Sequence, residues 1–132
     1  MKGLLVVCAA MALASPTLAD SLFDFGMGMA DARVPMGADT FNIWISARQD
    51  KFLMEPSMKI AFSGGGHFPE PTWRTIAEAF VKPIGCGISD VKPISKAGSA
   101  WEAIFVCPPG VDLHALARTQ RHDLQSGEPL HP

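Results

Sequence analysis

Two cysteines, Cys86 and Cys107, stand at the outer ends of two strand-like segments, and this spacing constrains the fold more than any other feature. Between them the sequence reads GISDVKPISKAGSAWEAIFV, in which two alternating segments flank a turn near residues 96–99. When residues are paired about a centre between Lys96 and Ala97, the two cysteines lie directly opposite each other, at a separation that a disulfide spans. The sequence therefore predicts a β-hairpin closed by a Cys86–Cys107 bond.

The segment before the hairpin, PTWRTIAEAFVKP, has the periodicity of an amphipathic helix. Its apolar residues recur at i, i+3, i+4, i+7 and i+8, which lie on one face of a 3.6-residue helix. Pro71 suits the first turn of a helix and Pro83 ends the run. We expect a helix over residues 71–82 that buries Trp73, Ile76, Ala77, Phe80 and Val81.

Residues 1–19, MKGLLVVCAAMALASPTLA, have the three parts of a secretory signal peptide. Lys2 supplies the positive start, residues 4–14 are apolar, and small residues precede an expected cleavage site after Ala19. The apolar run is short of the ~20 residues that span a bilayer, and an uncleaved anchor is the alternative. No other segment is apolar enough to cross a membrane. We therefore expect export to the periplasm or the extracellular space.

The expected compartment decides between three roles for the cysteines. Cys8 leaves with the signal peptide, and the remaining pair in an oxidising compartment indicates a structural disulfide. A redox-active pair is the alternative, but such pairs usually lie close in sequence at a helix N-terminus, as in Cys-x-x-Cys. Two cysteines without a neighbouring histidine pair also argue against a zinc site.

The rest of the chain completes one small domain. TFNIWISAR alternates as a strand does, a short strand piece is expected over residues 52–54, and a further strand is expected over 58–62 after Pro56. Asp112 is a good N-cap for a second helix that extends to about Arg121.

The order of these elements favours an α+β fold. We expect a small two-layer sandwich in which two helices cover a mostly antiparallel sheet of three or four strands, stapled by one disulfide. Pro93 places its strand at an edge, and the passage through the helix leaves one parallel pair possible. The expected organisation is a signal peptide at residues 1–19, a flexible N-terminal arm at 20–39, one domain at 40–124 and a disordered tail at 125–132.

No catalytic, metal or cofactor motif is recognisable in the sequence. The glycines at 64–66 lack the Lys-Ser/Thr of a phosphate loop, and Gly-x-Ser-x-Gly and His-x-x-x-His are absent. The chain has a formal net charge of −2 and no basic run, which argues against nucleic acid as a partner. A small hydrolase whose site is assembled from dispersed carboxylates and histidines remains an alternative.

Methionines in the N-terminal arm raise a second alternative. Met27, Met29 and Met36 lie among glycines in an exported chain, and thioether clusters can hold Cu(I), which is a soft ion. Methionine also fills gaps in hydrophobic cores. Periplasmic copper handling through this arm is therefore one hypothesis for these methionines, and packing in a hydrophobic core is the other.

Aromatic residues point to a surface function. The chain has three tryptophans and eight phenylalanines but no tyrosine. Periodicity assigns some of them to the core, whereas Phe23, Phe25, Trp44 and Phe68 are candidates for binding a partner. We expect a non-enzymatic binding or accessory module whose partner is another exported protein or a second copy of the chain.

Overall fold

The described residues form five strands and three α-helices. The computed structural model describes residues 28–57, 68–94 and 99–132. A single turn of 3-10 helix, Lys82–Ile84, follows the first helix. The elements are β1 (Ala32–Met36), β2 (Asp39–Ile45), β3 (Lys51–Pro56), α1 (Glu70–Val81), β4 (Gly87–Pro93), β5 (Trp101–Val106), α2 (Leu113–Thr119) and α3 (Arg121–Gln125).

The strands form one sheet in the order β1-β2-β3-β5-β4, and every pair of neighbours is antiparallel. The α+β class is confirmed. The expected strand number of three or four was wrong, because the described residues contain five, and the parallel pair left possible by the sequence is not among them. The segment expected as a strand over 58–62 lies outside the described residues.

Strand β1 falls within residues 20–39, where we expected a flexible arm. Ala32 and Val34 alternate inward, and Gly37 begins a two-residue turn that brings Met36 opposite Asp39. Gly37 has φ of 65°, a conformation that favours glycine and that tight hairpin turns require. The alternation and the glycine turn together account for this strand.

The helix α1 is confirmed as predicted. All five residues of the expected apolar face are buried, and Trp73, Ile76, Ala77 and Val81 have no exposed surface. Pro71 stands in the first turn, where a missing amide hydrogen costs nothing. The residues on this side of the sheet and the helices that cover them form one core. We call this side the helix face and the opposite side the outer face.

The Cys86–Cys107 disulfide is confirmed, with an S–S distance of 2.08 Å and a Cα–Cα distance of 4.2 Å. Next to it, Gly87 faces Val106 and Ile88 faces Phe105, the register expected from the sequence. The register shifts by one residue between Ile88 and Asp90, where β4 bulges. Pro93 lies in edge strand β4, as its missing donor predicts.

The C-terminal segment contains more structure than expected. The side chain of Asp112 accepts a hydrogen bond from the Ala115 amide and caps α2, as predicted. Gln120 then leaves the helical conformation, so the described chain has three helices instead of two. Residues 125–132 were expected to be disordered, yet Leu130 is buried in the core, and Gln120 and His131 exchange two hydrogen bonds beside it.

Within the described ranges, no helix is both long enough and apolar enough to cross a membrane.

Candidate functional site

A cleft lies where the loop after β2 meets helices α2 and α3. It has a volume of about 180 Å³. Its floor is apolar and its rim carries charged side chains. The residues that line this cleft, which we call the His114 cleft, are Asp31, Ile45, Ser46, Ala47, His114, Ala117, Arg118 and Arg121.

The loop that forms one wall of the cleft is held by Ser46. The Ser46 hydroxyl oxygen accepts hydrogen bonds from the amides of Arg48 at 3.3 Å and Gln49 at 3.1 Å. The Ser46 amide donates to the carbonyl of Lys51 at 3.0 Å. Because Ser46 has no exposed surface, these bonds are shielded from water, and the loop is fixed.

His114 stands at the second position of α2 and faces this loop. Its Nε2 lies 3.2 Å from Oδ1 of Asp50, and a carboxylate only accepts, so Nε2 is the donor. The ring also packs against Phe105, with centroids 5.8 Å apart. The Asp50 carbonyl accepts from the Phe105 amide at 3.0 Å, which anchors the end of the loop to β5. His114 is thereby oriented from two sides.

A second cavity is also lined by His114 and lies next to the disulfide. It has a volume of about 250 Å³ and is bordered by Asp50, Asp112, Phe105 and Cys107, among others. The two acidic side chains are committed elsewhere, Asp50 to His114 and Asp112 to the helix cap. His114 therefore borders both cavities, of which only the His114 cleft is lined by arginines.

Two arginines give the His114 cleft its charge. Arg118 is exposed and, within the part of the chain that the structure describes, makes no ion pair or hydrogen bond. Arg121 lies 3.7 Å from Asp31, a long contact for an ion pair. By contrast, Arg74 on α1 lies 2.9 Å from Glu70. The cleft therefore presents guanidinium groups whose donors remain available to an oxyanion.

The cleft lacks an available nucleophile among its described residues. Ser46 is the one hydroxyl on its lining, but that residue is inaccessible to solvent and its oxygen accepts two amide hydrogens. Cys107 borders the adjoining cavity and is oxidised. His114 directs Nε2 to Asp50. The arrangement is therefore suited to binding an anion rather than to nucleophilic attack.

The aromatic residues that the sequence marks as candidates for binding a partner have different surroundings in the structure. Trp44 is half-buried on the outer face, and its Nε1 donates to the Gly28 carbonyl at 3.0 Å. Phe68 packs edge-on against Phe41 at 5.4 Å and against Trp73 at 5.9 Å, which makes it part of an aromatic cluster at one end of the core. Phe23 and Phe25 lie outside the described residues.

The methionines of the copper hypothesis do not share one environment. Met29 is 68% exposed, whereas Met36 packs against the core at the end of β1. Met27 lies outside the described residues. In those that are described, no group of three histidine, cysteine, aspartate or glutamate side chains is arranged to hold a metal ion.

The outer face carries its own buried charges. Lys51 lies 3.1 Å from Glu102, and Lys92 lies 4.0 Å from the other oxygen of the same carboxylate. Lys51 and Glu102 are both less than a tenth exposed. Nearby on β3, burial raises the pKa of the Glu55 carboxyl above its ordinary value of 4.5.

The comparisons with known proteins return no relative. No protein-family model matches the chain, and neither a curated protein nor a solved structure matches it.

One spacing pattern in the sequence bears on the His114 cleft but is not among the predictions above. His114, Arg118 and Arg121 stand at i, i+4 and i+7, a spacing that would place them on one side of a continuous helix. A cationic stripe of this kind is common on solvated helices. Only its position beside the Ser46 loop makes it a site.

Proposed function

We propose that the protein is an exported, non-enzymatic binding module and that the His114 cleft receives an oxyanion on its ligand or partner. The observation that carries the proposal is the Arg118 guanidinium, which is exposed at the rim of a cleft and makes no ion pair with a described residue. A guanidinium offers two parallel donors to a carboxylate or a phosphate.

The size and lining of the cleft fit a small chemical group of a ligand. Ile45, Ala47 and Ala117 form apolar walls, and the volume of about 180 Å³ accommodates an oxyanion with a short apolar side chain. The fixed Ser46 loop and the oriented His114 mean that little ordering is needed when the group enters. A carboxylate and a phosphate both satisfy this chemistry, and the test separates them.

The test is a titration of the purified protein with citrate and, separately, with inorganic phosphate at constant ionic strength. Amide NMR shifts of cleft residues report binding. We expect Arg118→Gln to weaken binding of the preferred anion about tenfold, because it removes a charge-assisted hydrogen bond. Arg33→Gln is the matched control, since Arg33 is an exposed arginine on β1 that does not line the cleft.

Three outcomes decide the matter. Shifts confined to the cleft with one anion, lost in Arg118→Gln and kept in Arg33→Gln, support the proposal and name the ligand class. Equal weakening in both variants indicates diffuse electrostatics and overturns the site. Turnover of an ester or a peptide by the wild-type protein overturns the non-enzymatic role.

Export is tested separately by the intact mass of the protein recovered from the periplasm or the medium. The proposal requires a chain that begins at Asp20, is two hydrogens lighter than the reduced sequence and carries the Cys86–Cys107 bond. A mass that includes residues 1–19 would show that this segment is retained as an anchor and is not cleaved. Either result leaves the cleft titration interpretable.

A further inference from the structure

The His114 cleft contains an acidic side chain as well as its arginines. Asp31 lines the cleft, and its side chain is 25% exposed. Its Oδ2 accepts a hydrogen bond from the Ile45 amide at 2.8 Å, which fixes the carboxylate beside the end of β2. Its Oδ1 lies 3.7 Å from Arg121, which is too long for a hydrogen bond. Among the described residues, this carboxylate is therefore held in place without being fully neutralised.

The charged side chains that line the cleft leave one positive charge in excess. Arg118 and Arg121 are cations, and Asp31 is the one anion of the described lining. His114 is the remaining titratable group of that lining, and the imidazole of histidine is ordinarily uncharged at pH 8. Its partner Asp50 is 72% exposed and borders the neighbouring cavity, where water and salt screen its charge. A ligand with a single negative charge would neutralise the cleft, whereas a second negative charge would approach Asp31.

The uncharged part of the lining limits the rest of the ligand. Ile45, Ala47 and Ala117 have no polar atom in their side chains, and the buried Ser46 oxygen already accepts two amide hydrogens. A ligand rich in hydroxyl groups would therefore leave some of them without a hydrogen bond. The volume of about 180 Å³ equals about six water molecules. A short aliphatic chain suits both the size and the chemistry of this lining.

We propose that the ligand of the His114 cleft is a small aliphatic monocarboxylate and that Asp31 selects it over dianions. The inference rests on the proposed function and narrows its oxyanion to one class. The Arg118 guanidinium binds the carboxylate through parallel donors, and the aliphatic chain packs against Ile45 and Ala117. Asp31 repels a second negative charge, such as that of a phosphate group, because like charges brought together are unfavourable.

A comparison of anions on the wild-type protein tests the charge of the ligand. Isovalerate, inorganic phosphate and citrate are titrated at pH 8 and constant ionic strength, and amide NMR shifts of cleft residues report binding. We expect isovalerate to bind at least about tenfold more tightly than phosphate or citrate, because each of these carries more than one charge. Phosphate or citrate binding as tightly as isovalerate overturns the monocarboxylate class.

Two analogues of isovalerate test the rest of the ligand. Acetate lacks most of the aliphatic chain and should bind at least about tenfold more weakly, because less apolar surface is buried. Valine adds an ammonium group to isovalerate and should also bind more weakly, because the cleft already has an excess positive charge. Equal binding of acetate overturns the aliphatic class, and tighter binding of valine overturns the proposal in favour of an amino acid.

Asp31→Asn measures the contribution of Asp31 to selectivity. The asparagine side-chain oxygen can still accept from the Ile45 amide, so the local structure is retained while one negative charge is lost. Because the Coulomb energy is proportional to the charge of the ligand, phosphate should gain about tenfold in affinity and isovalerate about threefold. Asp39→Asn is the matched control, since Asp39 lies at the other end of the β1–β2 hairpin and does not line the cleft.

The ratio of the two affinities separates a charge effect from a structural one. A ratio that moves toward phosphate in Asp31→Asn but not in Asp39→Asn supports the proposal. Equal weakening of both ligands, or an unchanged ratio, overturns the role of Asp31 in selection. A wild-type preference for phosphate that still depends on Arg118 overturns the monocarboxylate class and leaves the proposed function intact. Binding that does not depend on Arg118 overturns both.

Discussion

Glu55 occupies an unfavourable position for an ionised carboxylate. It lies half-buried on the outer side of β3, opposite Asn42, and no described cation pairs with it. Loss of water around the carboxylate raises its pKa above the ordinary value of 4.5. The folded state therefore holds this proton more tightly than the unfolded chain does. Between the two pKa values, stability falls as the pH rises.

The fall of stability with rising pH leads to a prediction for Glu55→Gln. At pH 7 the variant should unfold at a higher temperature than the wild type, because the cost of burying the charge is removed. Below pH 4.5 its advantage should disappear, since Glu55 is then protonated in both states. Thermal melts across this range measure the effect. Glu78→Gln on the exposed side of α1 is the control, and a constant difference across pH would contradict the burial argument.

At the scale of the element, α1 contributes five buried residues to the helix face, more than α2 or α3 contributes. Phe80 is 4% exposed and packs edge-on against Phe52 of β3, with ring centroids 5.2 Å apart. Such pairs add to the hydrophobic effect of burial. The contact joins the last turns of the helix to the middle of the sheet.

We expect Phe80→Ala to lower the free energy of unfolding by about 3–5 kcal/mol, because it leaves a cavity between α1 and β3. Denaturant titration measures the loss. Glu78→Ala tests the opposite side of the same helix and should change stability by less than about 1 kcal/mol. If the two variants were equally stable, Phe80 would not be packed as described.

The elements that the sequence predicted well are those encoded by local signals. The 3.6-residue spacing placed all five buried residues of α1, and Asp112 marked the start of α2. Strand β1 was missed because Pro35 and the neighbouring glycines weaken its pattern, and its place is set by pairing with β2. The buried tail was missed because Gln120 and His131 meet only after the chain reverses at α3.

At the scale of the whole molecule, the His114 cleft shows what sequence patterns leave out. Its lining joins Asp31, the loop that begins at Ser46 and two helices near the C-terminus. None of these residues lies in a motif, and their proximity follows from the sheet order and from α3 packing near β1. The site is a product of tertiary structure, so a reading of separate segments could not assemble it.

Both edge strands of the described sheet carry features that discourage pairing with a further strand. Pro35 lies in edge strand β1, while β4 at the other edge carries Pro93 and a bulge. Proline has no amide hydrogen to donate, and bulges disturb the ladder, so each feature discourages pairing with another chain. Recognition of a partner is therefore expected through a face or a cleft of the domain.

The disulfide is expected to hold the molecule together as a whole. Replacing both cysteines, Cys86→Ala with Cys107→Ala, should lower the free energy of unfolding by about 3 kcal/mol, because a closed loop restricts the unfolded chain. The Tm should fall by more than about 10 °C. A reductant should shift the wild type by a similar amount and leave the double variant unchanged. Equal melting of the wild type and the variant would show that the bond contributes no stability.

The same bond gives part of the backbone a second covalent path. A protease that cuts once between Cys86 and Cys107 opens the chain but releases nothing, since the two pieces stay joined through sulfur. The cut protein gains the mass of one water and still carries α2 and α3 with the arginines of the His114 cleft. It separates into two peptides only when it is reduced. The protein can therefore be cut once between these two cysteines and remain one molecule.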